Sequence, residues 1–312
     1  MAFIDIAVNL TDPMYQGIYH DKQRHEADLQ RVLERAKAAG VHKMIVTGGS
    51  LEDSQKAIDL CREYDPSGGV LYCTVGVHPT RCNDFIDKAE TPEAHLRALR
   101  ELVEGNRDRV VAIGEIGLDF EREMFCVADT QKRFFEAHLD LVDALELPMF
   151  LHMRAAADAF CDILSRNRQK WERVGGVSHS FTGTAEELQK VIDLGLCIGL
   201  NGCSLKTDEN LDVAAQVPEH LVMLETDAPW CDIRPTHASS SFVKTDIDCV
   251  KKPEKWEPAR QVKGRNEPCN MVQVAEAVFG VRAARGRTTH DFNAFCNTVV
   301  SNTLRLFTKL KA

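Results

Sequence analysis

Four residues able to bind a metal each close a short apolar run in this chain. Glu115 follows Val110-Val111-Ala112-Ile113, His152 follows Met149-Phe150-Leu151, His179 follows Gly176-Val177-Ser178, and Asp227 stands shortly after Leu221-Val222-Met223-Leu224. Two carboxylates and two imidazoles combine hard oxygen with borderline nitrogen donors, a mixture suited to a divalent cation. Any one of them alone would mean little. Repeated at the ends of four separate runs, the pattern reads as an active site, because strands of one parallel barrel all present their carboxyl ends on the same side.

Other residues cluster at similar places. Gly114-Glu115-Ile116-Gly117-Leu118-Asp119 is the sharpest local motif. Its glycines suit a turn where backbone passes close to a ligand, and Glu115 and Asp119 are spaced to leave the strand end together. His78 closes Val75-Gly76-Val77-His78-Pro79, where it could hold a phosphate oxygen or donate a proton. Arg154, two residues past His152, could clamp a phosphate; its bland alternative is a salt bridge to Asp158 at helical spacing. Ser178-His179-Ser180-Phe181-Thr182-Gly183 lacks a G-x-S-x-G elbow, so its hydroxyls read as turn or supporting groups rather than nucleophiles.

These residues need a scaffold, and eight strand-like runs supply one: Phe3–Asn9, Lys43–Thr47, Leu71–Val77, Val110–Glu115, Met149–His152, Gly176–Ser180, Leu196–Leu200 and Leu221–Glu225. Most are continuously apolar, as strands buried on both faces should be. Helical spacing fills the gaps at Glu26–Ala39, Ser54–Glu63, Pro92–Gly105, Thr130–Leu145, Asp158–Gln169, Ala185–Leu194 and Asn210–Ala215. Eightfold β/α alternation predicts an α/β TIM (β/α)8 barrel, with residues 1–312 forming one domain. A long irregular loop is expected over 228–268, with Pro229, Pro235, Pro253, Pro258 and Pro268, before helices near Asn270–Phe279 and Thr288–Leu310. Loops of this length at a barrel mouth usually cover or shape a site.

Bulk properties narrow the classes. Thirty-eight Lys and Arg against 47 Asp and Glu give a net charge of −9, which argues against gripping nucleic acid with a broad basic face. It leaves room for a nuclease whose bound cations supply the positive charge locally. No apolar run is long enough to span a membrane, and the N-terminus lacks the basic-then-apolar pattern of a secretory signal. The 11 cysteines are odd in number and show no C-x-x-C pair. They point to a reducing intracellular compartment, cytoplasmic or nuclear, rather than to a disulfide framework or cysteine zinc cluster.

Taken in order, Gly76-Val77-His78-Pro79, Gly114 through Asp119, Phe150-Leu151-His152, Ser178 through Gly183, Glu225-Thr226-Asp227-Ala228-Pro229 and Arg265-Asn266-Glu267-Pro268 resemble the signatures of the TatD-like deoxyribonuclease family. The resemblance covers essentially the whole chain. It implies a metal-dependent, amidohydrolase-like TIM barrel that hydrolyses DNA phosphodiesters, with single-stranded DNA as main partner and exonuclease action from the 3′ end; endonuclease action and RNA as a substrate stay open. Carried over by position, Glu115, His152, His179 and Asp227 would bind metal. Glu115, Asp227 and His78 would be catalytic, and Asn9, Asp119, Arg154, Arg265 and Glu267 would meet substrate. One departure matters: many relatives carry H-x-H on the first strand, where this chain has Ala7 and Asn9. Loss of those nitrogen donors favours one or two ions of Mg²⁺ or Mn²⁺ over tightly held Zn²⁺. The rival reading is an amidohydrolase acting on a small amide or ester, which the missing histidine pair and the absence of a strand-end lysine count against.

Overall fold

Strand-forming runs separated by amphipathic helices place one parallel strand after another. The computed structural model describes residues 2–288 and 290–311; Met1, Thr289 and Ala312, which touch the expected domain limits and the start of the last helix, lie outside the described residues. Eight strands form one sheet in chain order: β1 (Phe3–Val8), β2 (Val41–Val46), β3 (Leu71–Val75), β4 (Val110–Asp119), β5 (Met149–Arg154), β6 (Gly176–Ser178), β7 (Cys197–Leu200) and β8 (Val222–Leu224). The first and last strand ends meet at a parallel Val8–Ala228 bridge, and Asp227 N–H donates to the Ala7 carbonyl at 2.9 Å. This is the strand order of a TIM (β/α)8 barrel, as the alternation predicts. Between strands run α1 (Leu29–Ala38), α2 (Leu51–Tyr64), α3 (Pro92–Glu104), α4 (Ala128–Leu145), α5 (Ala157–Arg166), α6 (Ala185–Asp193) and α7 (Asp208–Gln216), followed by α8 (Met271–Ala284) and α9 (Phe292–Leu306). No helix among the described residues is long and apolar enough to cross a membrane.

The chain divides into two compact units, Met1–Val46 with Gly199–Thr303, and Thr47–Ile198 with Leu304–Ala312. In the second, β4 and β5 carry the predicted site. Their core is apolar throughout: Val110, Ala112, Ile113, Met149, Phe150 and Leu151 are fully buried. Helix α4 covers this layer with Phe134, Phe135 and Leu139, which are also fully buried. The expected helix over Asp158–Gln169 breaks in two because the Asn167 side chain turns back to the Ile163 carbonyl at 3.0 Å and to Glu136 at 2.9 Å.

In the first unit, β1 and β8 are joined by a buried polar contact. Asp5 accepts from the Thr226 hydroxyl at 2.6 Å and from its N–H at 2.9 Å, yet burial outweighs these bonds and holds its carboxyl well above the usual carboxylate range. The long loop is not structureless. It holds a short parallel pair, Cys249–Val250 with Gln261–Val262, and 3-10 turns at Ala238–Phe242 and Pro253–Lys255.

Arg265 anchors that loop, and its placement corrects the expectation of a phosphate-facing guanidinium. Its side chain is wholly buried. Both guanidinium Nη atoms donate to the Asp28 carboxylate at 2.7 Å, and one also reaches Glu267 at 2.8 Å. Arg35 holds Glu267 from the other side at 2.8 and 3.0 Å, so Glu267 is likewise turned inward. Asp28 thereby serves Arg265 and Trp256 rather than capping α1, which starts at Leu29, later than its periodicity predicts. Truncating one partner of a buried ion network leaves uncompensated charge, at a cost of about 3–5 kcal/mol. Arg265→Ala should therefore lower the unfolding free energy extrapolated from urea titration by about 3–5 kcal/mol. Arg265→Lys should recover only part of it, because an ammonium cannot bond two carboxylates in the same fork.

Candidate metal centre

Glycine and register place the key carboxylate. Between Ile113–Met149 and Ile116–Leu151 the β4–β5 pairing gains one residue on β4, a bulge that contains Gly114 and Glu115. Such bulges re-aim a side chain, and here it is that of Glu115. The expected strand-exit turn is thus continued strand: β4 runs on to Asp119, with Gly117 opposite His152 and Asp119 opposite Arg154. The neighbouring backbones come too close for a Cβ. One on Gly117, whose φ is +141°, would run into the His152 carbonyl; one on Gly114 would meet the Phe150 carbonyl; one on Gly76 would stand 2.7 Å from Gly114.

Three imidazoles then face one carboxylate oxygen. Oε1 of Glu115 lies 2.8 Å from His152 Nδ1, 2.7 Å from His179 Nε2 and 3.5 Å from His78 Nε2. His152 is held at both ring nitrogens, with Nε2 3.2 Å from the buried Asp119 Oδ2. His179 rides on the Phe150 ring at a centroid distance of 4.6 Å, and His78 meets the His152 ring edge-on at 4.6 Å. Two overlapping donor groups result, Glu115 with His152 and His179, and His78 with Asp119 and His152.

The electrostatics follow from burial and these contacts. Burial opposes ionisation of Glu115, but the facing His179 and His78 rings and the hydrogen bonds from His152 and His179 outweigh it, holding the carboxyl well below its usual range. His152 is likewise disfavoured as a cation by burial, and its bonds to Asp119 and Glu115 reverse this and raise its pKa. His78 falls to about 3 because burial prevails. Its Nδ1 accepts from the Thr80 N–H at 3.2 Å, so the ring is neutral and offers no imidazolium proton. The burden of holding Glu115 ionised therefore rests on His179 and His152.

The donor set fits a divalent cation. It mixes one firmly ionised carboxylate with imidazole nitrogens aimed at it, and Asp119 Oδ1 is buried with no hydrogen-bond partner. The two groups sharing His152 have the composition for one or two ions. Of the predicted ligands, Glu115, His152 and His179 come together here, joined by His78 and Asp119. The sequence motifs had singled out both of these, but as catalytic and substrate-binding groups. Their pairing through His152 was not legible, since it depends on β4 continuing past Glu115.

Asp227 is placed in the other unit, just past β8. Its Oδ1 accepts from Asn9 Nδ2 at 2.9 Å, and the Cys231 thiol donates to Oδ2 at 3.3 Å. The neighbouring Cys203 thiol and burial push Cys231 well up in pKa, so it stays protonated beside the carboxylate. Asn9 thus spends its amide N–H on Asp227. Arg154 pairs with Glu121 rather than with Asp158, which instead bonds Lys190 at 2.5 Å. With both side chains of the Arg154–Glu121 pair about half exposed, that ion pair is a weak tether.

Parallel β/α architecture and a carboxylate–imidazole cluster on adjoining strands define a metal-dependent hydrolase of the TIM-barrel class. A family model described as TatD related DNase matches residues 4–308, and the chain belongs to that family. It is 43% identical to the deoxyribonuclease Tat-D of Schizosaccharomyces pombe, over 90% of each chain. It is 36% identical to the 3′-5′ ssDNA/RNA exonuclease TatD of a Pantoea species, over 88% of this chain and 89% of the relative. Among solved structures, a TatD family hydrolase from Entamoeba histolytica superposes with a TM-score of 0.90 at 36% identity, covering 98% of both chains.

Asp119 should act on metal through His152. Carboxylates that orient a ligating histidine typically govern metal affinity by about 10- to 100-fold. Asp119→Asn should therefore weaken Mn²⁺ binding by a factor in that range, read by isothermal titration calorimetry. Unchanged affinity would remove Asp119 from the centre.

Proposed function

We propose that the chain is a metal-dependent deoxyribonuclease that hydrolyses phosphodiester bonds of single-stranded DNA from the 3′ end, with RNA as a further substrate. The single observation that carries this reading is the Glu115–His152–His179 cluster, carried on β4, on β5 and just past β6. The named activities of the yeast and bacterial relatives support the choice of nucleic acid as substrate. The family match over residues 4–308 supports treating residues 1–312 as one catalytic domain.

Glu115, His152 and His179 would hold a divalent cation, with His78 and Asp119 supporting a second. When bound, such a cation supplies Lewis acidity for activating water and screening phosphate charge, which a chain of net charge −9 cannot do with its own side chains. Asp227 accepts the proton of the attacking water. The carboxylate is ready for this because Asn9 fixes one oxygen by hydrogen bonding. Water adds to phosphorus as the bond to the departing sugar oxygen breaks, and that oxygen takes up a proton to leave as an alcohol, balancing the one Asp227 removes from the water. His78 stays neutral and orients an oxygen through its ring rather than delivering a proton from an imidazolium. Arg154 leaves its weak pairing with Glu121 to take a phosphate oxygen. Mg²⁺ or Mn²⁺ suits the centre better than tightly held zinc, since Ala7 and Asn9 replace the histidine pair of many relatives. The cytoplasm or nucleus is the fitting compartment, as none of the 11 cysteines forms a disulfide among the described residues.

Exhaustive EDTA treatment should abolish release of nucleotides from 3′-labelled and 5′-labelled single strands, and added Mg²⁺ or Mn²⁺ should restore it. Activity that survives chelation, or turnover of N-acyl substrates without DNA cleavage, would overturn this reading. Arg154→Ala should lower kcat/KM by an amount corresponding to about 1.5–3 kcal/mol, the worth of a hydrogen bond to a charged group. Its melting temperature should hardly move, because the exposed pair it breaks is worth at most about 1 kcal/mol. Lower thermal stability with normal kinetics would make the Glu121 pairing its whole role.

A further inference from the structure

The three tryptophans are used very differently. Trp171 is buried and donates its ring N–H to the Leu164 carbonyl at 2.9 Å. Trp256 stacks on His25 with ring centroids 5.2 Å apart and donates to Asp28 at 3.0 Å. Trp230, by contrast, is 51% exposed. Its backbone is nevertheless fixed. Its N–H donates to the Asp227 carbonyl at 3.0 Å, and its carbonyl accepts from Asn266 Nδ2 at 2.7 Å. Asn266 is itself buried, bonded through the same amide nitrogen to the Thr226 carbonyl at 2.9 Å and through its N–H to Pro229 at 2.9 Å. A solvent-facing indole on a fixed backbone therefore stands three residues beyond a carboxylate that Asn9 and Cys231 hold in place.

We propose that Trp230 is a stacking platform for an unpaired nucleobase of the strand being cut, and so a determinant of substrate binding and of single-strand preference. This rests on the nuclease reading above and deepens it. An indole face attracts the π-face of any base, so the contact tolerates every sequence. It draws nothing from net charge, which matters in a chain at −9, where phosphate attraction is confined to bound cations and a few arginines. Bases inside a duplex have both faces covered by their neighbours, whereas a frayed or single-stranded end offers them freely.

The test compares cleavage of a labelled oligothymidylate with that of the same oligomer in which each of the last few residues in turn lacks its base, at saturating Mn²⁺. Stacking of a base on an aromatic side chain corresponds to a change of about 5- to 150-fold in binding. Trp230→Ala should raise KM by a factor in that range with kcat and melting temperature little changed, and Trp230→Phe should retain most of the affinity. One abasic position should penalise the wild-type protein to a similar degree, and Trp230→Ala should no longer distinguish it from the intact strand. Should Trp230→Ala fold poorly, Trp230→Leu keeps the apolar bulk without the ring and should show the same KM effect. Equal KM for the folded variants and wild type, or an abasic penalty that persists without the indole, would overturn the proposal while leaving the nuclease reading intact. A wild-type protein that cleaves none of these strands would remove both.

Discussion

Everything in the candidate centre depends on keeping one carboxylate ionised where little water reaches it. Glu115 is placed by a bulge in β4, and its Oε1 is met by His152 and His179 at hydrogen-bond distance. An isolated ion there would be prohibitively costly, and it persists because partners of opposite polarity converge on it. The same groups suit a cation, which would displace the ring protons and take the carboxylate oxygen and the imidazole nitrogens as ligands. Backbone crowding at Gly76, Gly114 and Gly117 is the structural consequence, since strands carrying any larger residue there could not approach closely enough to bring the rings together.

Asp119, two positions beyond Gly117 on the prolonged strand, aligns His152 from behind, and Phe150 gives His179 a flat surface to lie on. In the other unit, Asp5 and Thr226 lock β1 to β8, which fixes the segment that presents Asp227. The long loop is held by the Arg265–Asp28–Glu267–Arg35 network and by Asn266. Charge that the family resemblance assigns to substrate contact therefore works inside the fold, where it sets the path of a proline-rich segment.

Much of this was legible in the sequence, and for definite physical reasons. Continuous apolar runs announce strands buried on both faces, and a polar residue ending such a run has to be accounted for; that logic found Glu115, His152 and His179 together. What escaped it were features set by register and by pairing across long separations. Nothing local in Gly114 through Asp119 distinguishes a turn from a bulged strand, because glycine serves both. Arg265 lies 237 residues from Asp28, and only the fold reveals that its charge is neutralised internally. Asp158 satisfied a simple helical spacing with Arg154, yet Lys190 and Glu121 took those partners instead, as exposed pairs of small energy readily exchange.

The central claim is that Glu115, His152 and His179 form a divalent-metal centre. Anomalous diffraction at the manganese edge, from crystals equilibrated with Mn²⁺, tests it most directly. The account predicts a peak within direct bonding distance of the Glu115 carboxylate and of ring nitrogens of His152 and His179. Ordered side chains around a site with no anomalous density, or manganese bound only elsewhere on the molecule, would contradict it.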